Sequence, residues 1–126
     1  MYKEKSQISS RAYNFALEVI GITSTLSKTP ANIILIRQVI RSVTSIGANI
    51  EEALGGHTRA DFAYCMNVAK KEARETRYWL KMLKDLNVGS FSHKFEMLLK
   101  EIEEIINILT KIVKTTTKKW FIICNL

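Results

Sequence analysis

The sequence predicts an all-helical protein, and three observations support that fold class. Apolar residues recur at intervals of three and four in four long segments, the spacing of one face of an α-helix. The 126-residue chain has only five glycines and one proline, too few for the many turns of a β-sandwich or barrel. The breaks between the segments are short, so consecutive helices should run antiparallel. We therefore expect an up-down-up-down four-helix bundle.

The first two predicted helices meet at Thr29 and Pro30. Apolar spacing places the first over about residues 7–27. Thr29 is a suitable N-cap, and Pro30 is a suitable first helical residue because an N–H there would have no helical partner. The second helix is expected over residues 30–54.

Glycine-containing breaks precede the other two helices. A glycine pair at residues 55–56 ends the second helix, and Thr58 with Asp61 resembles a capping box for a third that runs to about residue 86. A break at residues 87–89 then precedes a fourth helix, which begins at about residue 90 or 92 and ends near residue 115.

The end of the chain has a different composition from the helices. Residues 1–117 are expected to form the single bundle domain. Residues 118–126 are rich in β-branched and aromatic side chains, which favours an extended or disordered tail.

Charge, hydropathy and cysteine content indicate the expected cellular location. Nineteen Lys and Arg against twelve Asp and Glu give a net charge of +7. No uninterrupted apolar run has the length of a membrane span, and no signal-peptide pattern follows the polar start. Cys65 and Cys124 are too few and too far apart for a disulfide framework or a zinc site. We expect a cytoplasmic protein that does not bind membranes.

The second helix is apolar around most of its circumference. Such a helix is either central to its own bundle or also buried against another subunit, and both remain possible. Gly47 lies inside the apolar stripe, where glycine costs about 1 kcal/mol relative to alanine, so a close helix crossing is the preferred explanation. The predicted helix-packing or oligomer-interface residues are Ile46, Gly47 and Ile50.

The third helix is predicted to carry a basic ridge. Its members are spaced by four, three, four and three residues and share an arc of about 80° on a helical wheel. The ridge is about 21 Å long and could face several successive phosphates of a nucleic acid; a solvated lysine-rich surface is the alternative. The ridge residues are Lys70, Arg74, Arg77, Lys81 and Lys84.

Several acidic residues fall on faces expected to be buried. Because burial of an unpaired carboxylate is unfavourable, Glu72 should pair with Arg37 or Arg41 across the second and third helices. Glu75 lies at the border of that face, and Glu51 should have a partner near the start of the first or third helix. We expect a structural polar network rather than a catalytic group.

No catalytic or metal-binding pattern is apparent. His57 in the glycine turn and His93 at the start of the fourth helix do not follow a glutamate by three residues, as a di-iron bundle requires. Neither a phosphate-binding loop nor a nucleophile elbow is present. We expect no metal, no cofactor and no enzymatic activity, with both histidines in turn or capping positions.

Three sequence blocks resemble a known family. They are RSVTSIGANIEEA at residues 41–53, DFAY at 61–64 and AKKEARETRYWL at 69–80. Together they resemble the bacterial four helix bundle proteins encoded in intervening sequences of 23S ribosomal RNA genes. The pattern departs at residues 51–53, where many members have Ala-Glu-Gly. The chain is also similar to the accessory variability determinant proteins of diversity-generating retroelements.

The resemblance implies a cytoplasmic homopentamer without catalytic activity. A pentamer would cover the surplus apolar surface of the second helix and would repeat the basic ridge five times. Two functions follow as hypotheses. The first is RNA or DNA binding through phosphate contacts; the alternative is a scaffold or accessory subunit for a protein partner such as a nucleic-acid enzyme.

Overall fold

The computed structural model describes residues 2–89 and 92–124, with side chains for residues 7–89 and 92–118. Four helices account for most of this part of the chain, and it contains no strand. They are α1 (Tyr2–Thr23), α2 (Pro30–Leu54), α3 (Arg59–Leu86) and α4 (Ser92–Cys124). The predicted all-helical fold with four helices is confirmed.

The helices form a four-membered ring of neighbours. Each helix packs on the next along the chain, and α1 closes the ring by packing on α4. The diagonal pairs, α1 with α3 and α2 with α4, do not approach closely among the described residues. This is the packing of an up-down-up-down bundle, in which every helix turns one face toward a common core.

The predicted caps at the starts of α2 and α3 are present. The Thr29 side chain accepts a hydrogen bond from the backbone N–H of Asn32 at 3.1 Å, with Pro30 as the first helical residue. The Thr58 side chain accepts from the backbone N–H of Asp61 at 3.0 Å. Both threonines have extended backbone conformations, so each turns the chain into its helix and satisfies a backbone N–H that the helix leaves unpaired.

Apolar side chains from all four helices meet in the core. Polar groups within it are paired: the Thr76 hydroxyl of α3 donates to the Ser42 hydroxyl of α2 at 2.8 Å. The burial pattern agrees with the apolar spacing of the sequence. The largest fully buried side chains include Ile8, Phe15, Ile46, Ile50, Met66, Leu80, Leu83, Phe95, Leu98, Ile102, Ile105 and Leu109.

A reciprocal amide pair links the start of α2 with the end of α3. The Asn32 side chain donates to Asn87 Oδ1 at 2.9 Å, and the Asn87 side chain donates to Asn32 Oδ1 at 3.0 Å. Asn32 also donates to the carbonyl of Ser27, and Asn87 to that of Leu83. These bonds satisfy the polar atoms of Asn32, which is 3% exposed.

The first helix ends at Thr23, four residues before the expected end at residue 27. The hydroxyl groups of Thr23, Ser24 and Thr25 each donate to a backbone carbonyl three or four residues earlier. Such bonds compete with the helical N–H donors for the same carbonyls. Leu26 remains 4% exposed against the core, which explains why the apolar pattern continues beyond the helix.

The fourth helix continues to Cys124, in place of the extended or disordered conformation expected from residue 118. Residues 125 and 126 lie outside the described part of the chain. The preference of β-branched residues for strands is weak, and an existing helix grows without forming a new nucleus. Thr116 illustrates the fit, because it is 9% exposed and its hydroxyl donates to the Ile112 carbonyl at 2.8 Å.

Residues Pro30–Gly55 have the length and apolar content of a membrane-spanning helix, with a mean hydropathy of 1.2. The central helix of a bundle has the same properties. Eight residues of α2 are buried inside this bundle, so packing against α1 and α3 accounts for much of its apolar character.

Candidate nucleic-acid interface

The five residues of the predicted ridge lie on the outer side of α3. Arg74 and Lys81 are exposed, whereas Lys70, Arg77 and Lys84 are half-buried. The half-buried members are displaced on the helical wheel toward α4, the neighbour on that side. One edge of the ridge therefore lies beside α4, and the other edge, formed by Arg74 and Lys81, faces solvent.

Two ridge residues are paired with carboxylates of α4. Arg77 Nη1 lies 2.5 Å from Glu103 Oε1, and Lys84 Nζ lies 3.5 Å from Glu96 Oε1. No ion pair joins Lys70, Arg74 or Lys81 to another described side chain. The ridge thus contains three cations available to an external anion and two that are already partly neutralised.

Arg41 is the centre of the polar network between α2 and α3. It lies 3.3 Å from Glu72 and also forms an ion pair and hydrogen bond with Glu75. The indole N–H of Trp79 donates to the same Glu75 carboxylate at 3.2 Å. The hydrogen bond from Arg41 lowers the pKa of Glu75, against an opposing effect of desolvation and with a smaller contribution from Trp79.

The other two members predicted for this network lie elsewhere. Arg37 is exposed and has no ion pair among the described side chains; it lines a shallow depression on α2 with Ile36 and Ile40. Glu51 is exposed and accepts a hydrogen bond from Ser9 near the start of α1. The position of Glu51 beside α1 agrees with one of its two expected locations, whereas Arg37 is not a partner of Glu72.

We expect Glu75→Gln to reduce the free energy of unfolding at pH 7 by at most about 1 kcal/mol, because Glu75 and Arg41 are 35% and 49% exposed and solvent screens the pair. The lowered pKa of Glu75 means that its contribution is fully present above the ordinary value of 4.5 and decreases as the pH falls through the lowered value. Urea unfolding of both proteins at pH 7 and at several values below 4.5 should show the difference disappear.

Glu52→Gln is the matched control, since Glu52 is exposed and has no ion pair among the described side chains. It should leave the stability at pH 7 nearly unchanged. A Glu75→Gln effect that persisted unchanged at low pH would contradict the ionic explanation.

Arg11 forms a second interhelical cluster, which was not among the predicted site residues. It lies 2.5 Å from Glu101 and also pairs with Glu104, both on α4. In the sequence, the features that correspond to this cluster are a single arginine beside the apolar face of α1 and two acidic residues three positions apart on α4. A sequence alone does not show that these two surfaces face each other.

An apolar groove of about 320 Å³ runs between the outer faces of α1 and α2. Tyr13 and Leu17 on its α1 side are 66% and 53% exposed. Gly47 lines the groove, and a Cβ there would meet the Ala12 Cβ at 3.9 Å, an ordinary contact. Packing within the chain therefore does not require glycine at this position, so a close crossing inside the bundle is not the reason for it, and a crossing with another subunit stays a prediction.

Ile46 and Ile50 are completely buried inside the single chain. Of the two roles considered for them, helix packing within the bundle agrees with this burial. Gly47 differs from them because it lines an open groove.

The two histidines occupy peripheral positions. His57 lies in the turn before α3, and His93 is the second residue of α4; both are exposed. Within residues 2–89 and 92–124, no three His, Cys, Asp or Glu side chains are grouped closely enough to hold a metal ion.

The fold and surface define a class of protein: an antiparallel four-helix bundle with interhelical ion pairs, a basic outer ridge and an exposed apolar groove. The chain belongs to the 23S rRNA-intervening sequence protein family, whose model matches residues 4–111. The resemblance drawn from the sequence blocks is thereby confirmed.

A solved structure supports the same assignment. The chain is similar to a protein of unknown function from the S23 ribosomal protein family of Bacteroides thetaiotaomicron VPI-5482, with a TM-score of 0.79 and 32% identity. The match covers 88% of this chain and 98% of the other. Comparison with curated proteins gives no significant match. Neither the family description nor that of the solved structure names an enzymatic activity.

Proposed function

We propose that this protein is a non-enzymatic, cytoplasmic homo-oligomer that binds RNA or DNA through phosphate contacts. The observation that carries the proposal is the presence of Lys70, Arg74 and Lys81 on the outer face of α3 without a carboxylate partner among the described residues. Unpaired surface cations attract phosphates without reading the base sequence. A protein with a net charge of +7 also gains affinity and association rate from its overall field.

Recognition in this proposal depends on charge more than on base stacking. Tyr78 is 55% exposed near the ridge, but its ring makes an edge contact with Trp79, with centroids 5.0 Å apart. One tyrosine offers a limited stacking surface compared with the successive aromatic side chains of single-strand binding proteins.

The oligomer is supported by the groove between α1 and α2. Leu17 and Ile20 leave apolar surface exposed on its α1 side, and a second copy of the chain would remove that surface from water. The family resemblance implies a pentamer, which would present five basic ridges to one polyanion.

A protein scaffold is the second candidate function. Tyr78, Met82 and Leu86 are exposed at intervals of four residues along α3 and form a partial apolar strip beside the basic ridge. This strip favours docking of a protein partner, such as a nucleic-acid enzyme. A partner that remains bound after nuclease treatment would support this function over direct nucleic-acid binding.

The direct test compares Arg74→Glu with Lys28→Glu in RNA binding. Both residues are exposed and both substitutions change the net charge equally, but Lys28 lies in the connection between α1 and α2. We expect the affinity of the parent for a labelled RNA to fall linearly with salt on logarithmic axes, by about 0.7 to 0.9 per phosphate contacted. Arg74→Glu should weaken binding much more than Lys28→Glu; an absent salt slope, or equal effects, would contradict the proposal.

A further inference from the structure

The basic ridge of α3 has two unlike ends. At the end near the connection to α4, Arg77 and Lys84 pair with Glu103 and Glu96. At the opposite end, Lys70 and Arg74 have no such partner among the described side chains. We propose that nucleic acid binds this second end, on a surface shared by α3 and α4. We call it the α3–α4 basic surface and define it as Lys70, Arg74, Lys111, Lys114 and Lys118.

The register of the two helices brings these residues together. The pairs Arg77 with Glu103 and Lys84 with Glu96 show that α3 and α4 are antiparallel, seven residues on one matching seven on the other. A further seven residues place Lys70 opposite residue 110. Lys114 follows Glu103 by eleven residues, about three helical turns, so it belongs to the same side of α4 and lies about one turn beyond that position.

The charge of α4 changes sharply along its length. Its four acidic residues are confined to residues 96–104, and every charged residue from 105 to the end is a lysine. Lys111, Lys114 and Lys118 are all exposed. A phosphate near the paired end meets carboxylates as well as cations, whereas one near the other end meets only cations from α4.

The described acidic side chains at the end of α2 and the start of α3, at this end of the bundle, belong to other faces. Glu51 and Glu52 are on α2, which is diagonal to α4 and does not contact it in the described part of the chain. Asp61 precedes Lys70 by nine residues, which is half a turn out of phase on the α3 wheel. The α3–α4 basic surface therefore has five cations and no carboxylate among its own residues.

The dimensions and chemistry indicate the ligand class. Lys111 to Lys118 span about 10 Å along α4, and packed helix axes lie about 8–10 Å apart. Since a duplex has one phosphate charge per about 1.7 Å of axis, this surface can face several phosphates at once. Flexible lysines act as point charges, so a phosphodiester backbone of any sequence is the expected ligand.

This inference rests on the proposed function, and paired double variants of the full chain test it. Lys70→Gln/Lys114→Gln removes two cations from the α3–α4 basic surface. Arg77→Gln/Lys84→Gln removes two from the carboxylate-paired end and is matched in net charge. The probe is a labelled RNA duplex of about 20 base pairs, with binding measured by fluorescence anisotropy between about 50 and 200 mM salt. Circular dichroism verifies that each variant is folded.

We expect Lys70→Gln/Lys114→Gln to reduce the magnitude of the logarithmic salt slope by about 2 and to weaken binding at low salt by about tenfold or more. The matched pair should change the slope little. Lys111→Gln/Lys118→Gln provides a second test on exposed residues of α4 and should behave like the first.

Two failures are distinguishable. If the parent shows no salt-dependent binding, the proposed function fails and the inference with it. If the parent binds but the variants at the carboxylate-paired end weaken binding as much as those on the α3–α4 basic surface, the proposed function stands and the inference is overturned. Binding unchanged by both α3–α4 double variants would also overturn it.

Discussion

Replacement of Phe95 by alanine is expected to lower the free energy of unfolding by about 3–5 kcal/mol. Phe95 is 0% exposed and lies one turn into α4, where its ring fills the core shared with the other helices. The change removes apolar surface from the interior and leaves a cavity that rigid helix packing only partly closes. Denaturant unfolding followed by circular dichroism measures the loss.

Met97→Ala is the control for this prediction. Met97 is two residues further along the same helix but is 62% exposed. Its replacement should change stability by no more than about 0.5 kcal/mol. Similar effects at the two positions would contradict the orientation of α4 in the bundle.

Leu17→Glu is expected to convert the proposed homo-oligomer into monomers. Leu17 lies on the groove between α1 and α2 and is 53% exposed in the isolated chain. In the monomer this position is exposed, so a glutamate there should leave the fold of the single chain intact. At a subunit interface the glutamate carboxylate would be buried without a partner. That burial carries an effective penalty of several kcal/mol at each interface. Sedimentation velocity or native mass spectrometry would show the native mass fall to that of one 14.4 kDa chain.

Val88→Glu provides the comparison, since Val88 is 85% exposed in the connection between α3 and α4, away from the groove. It should leave the native mass unchanged. A monomeric parent protein would contradict the oligomer itself, and a Leu17→Glu variant of unchanged mass would exclude the groove as the interface.

The fold was predictable because its determinants are local. Apolar spacing defines which face of each helix is buried, and Thr29 and Thr58 act as caps within three residues of the groups they bind. Boundaries depended on competing local bonds. At the end of α1, the Thr23 hydroxyl donates to the Val19 carbonyl. Helix propensity alone did not predict that α1 ends at this residue.

The surface was harder to predict because its character depends on pairs of helices. A helical wheel placed Arg77 correctly on the basic ridge but did not show that Glu103 of α4 faces it. The same limitation applies to Arg11 and Glu101, which are 90 residues apart in sequence. The charge available to a ligand depends on which side chains of neighbouring helices face each other, and the pattern of a single helix does not contain that information.

The reciprocal amide pair has a consequence for how the bundle opens. Asn32 lies in the first turn of α2 and Asn87 caps α3, and the same two hydrogen bonds link both ends. Fraying of either terminus breaks both bonds and leaves the other amide without its partner, so the two termini form one cooperative unit. In native-state hydrogen exchange, amides in the first turn of α2 and the last turn of α3 would share a single opening free energy although 55 residues separate the two asparagines.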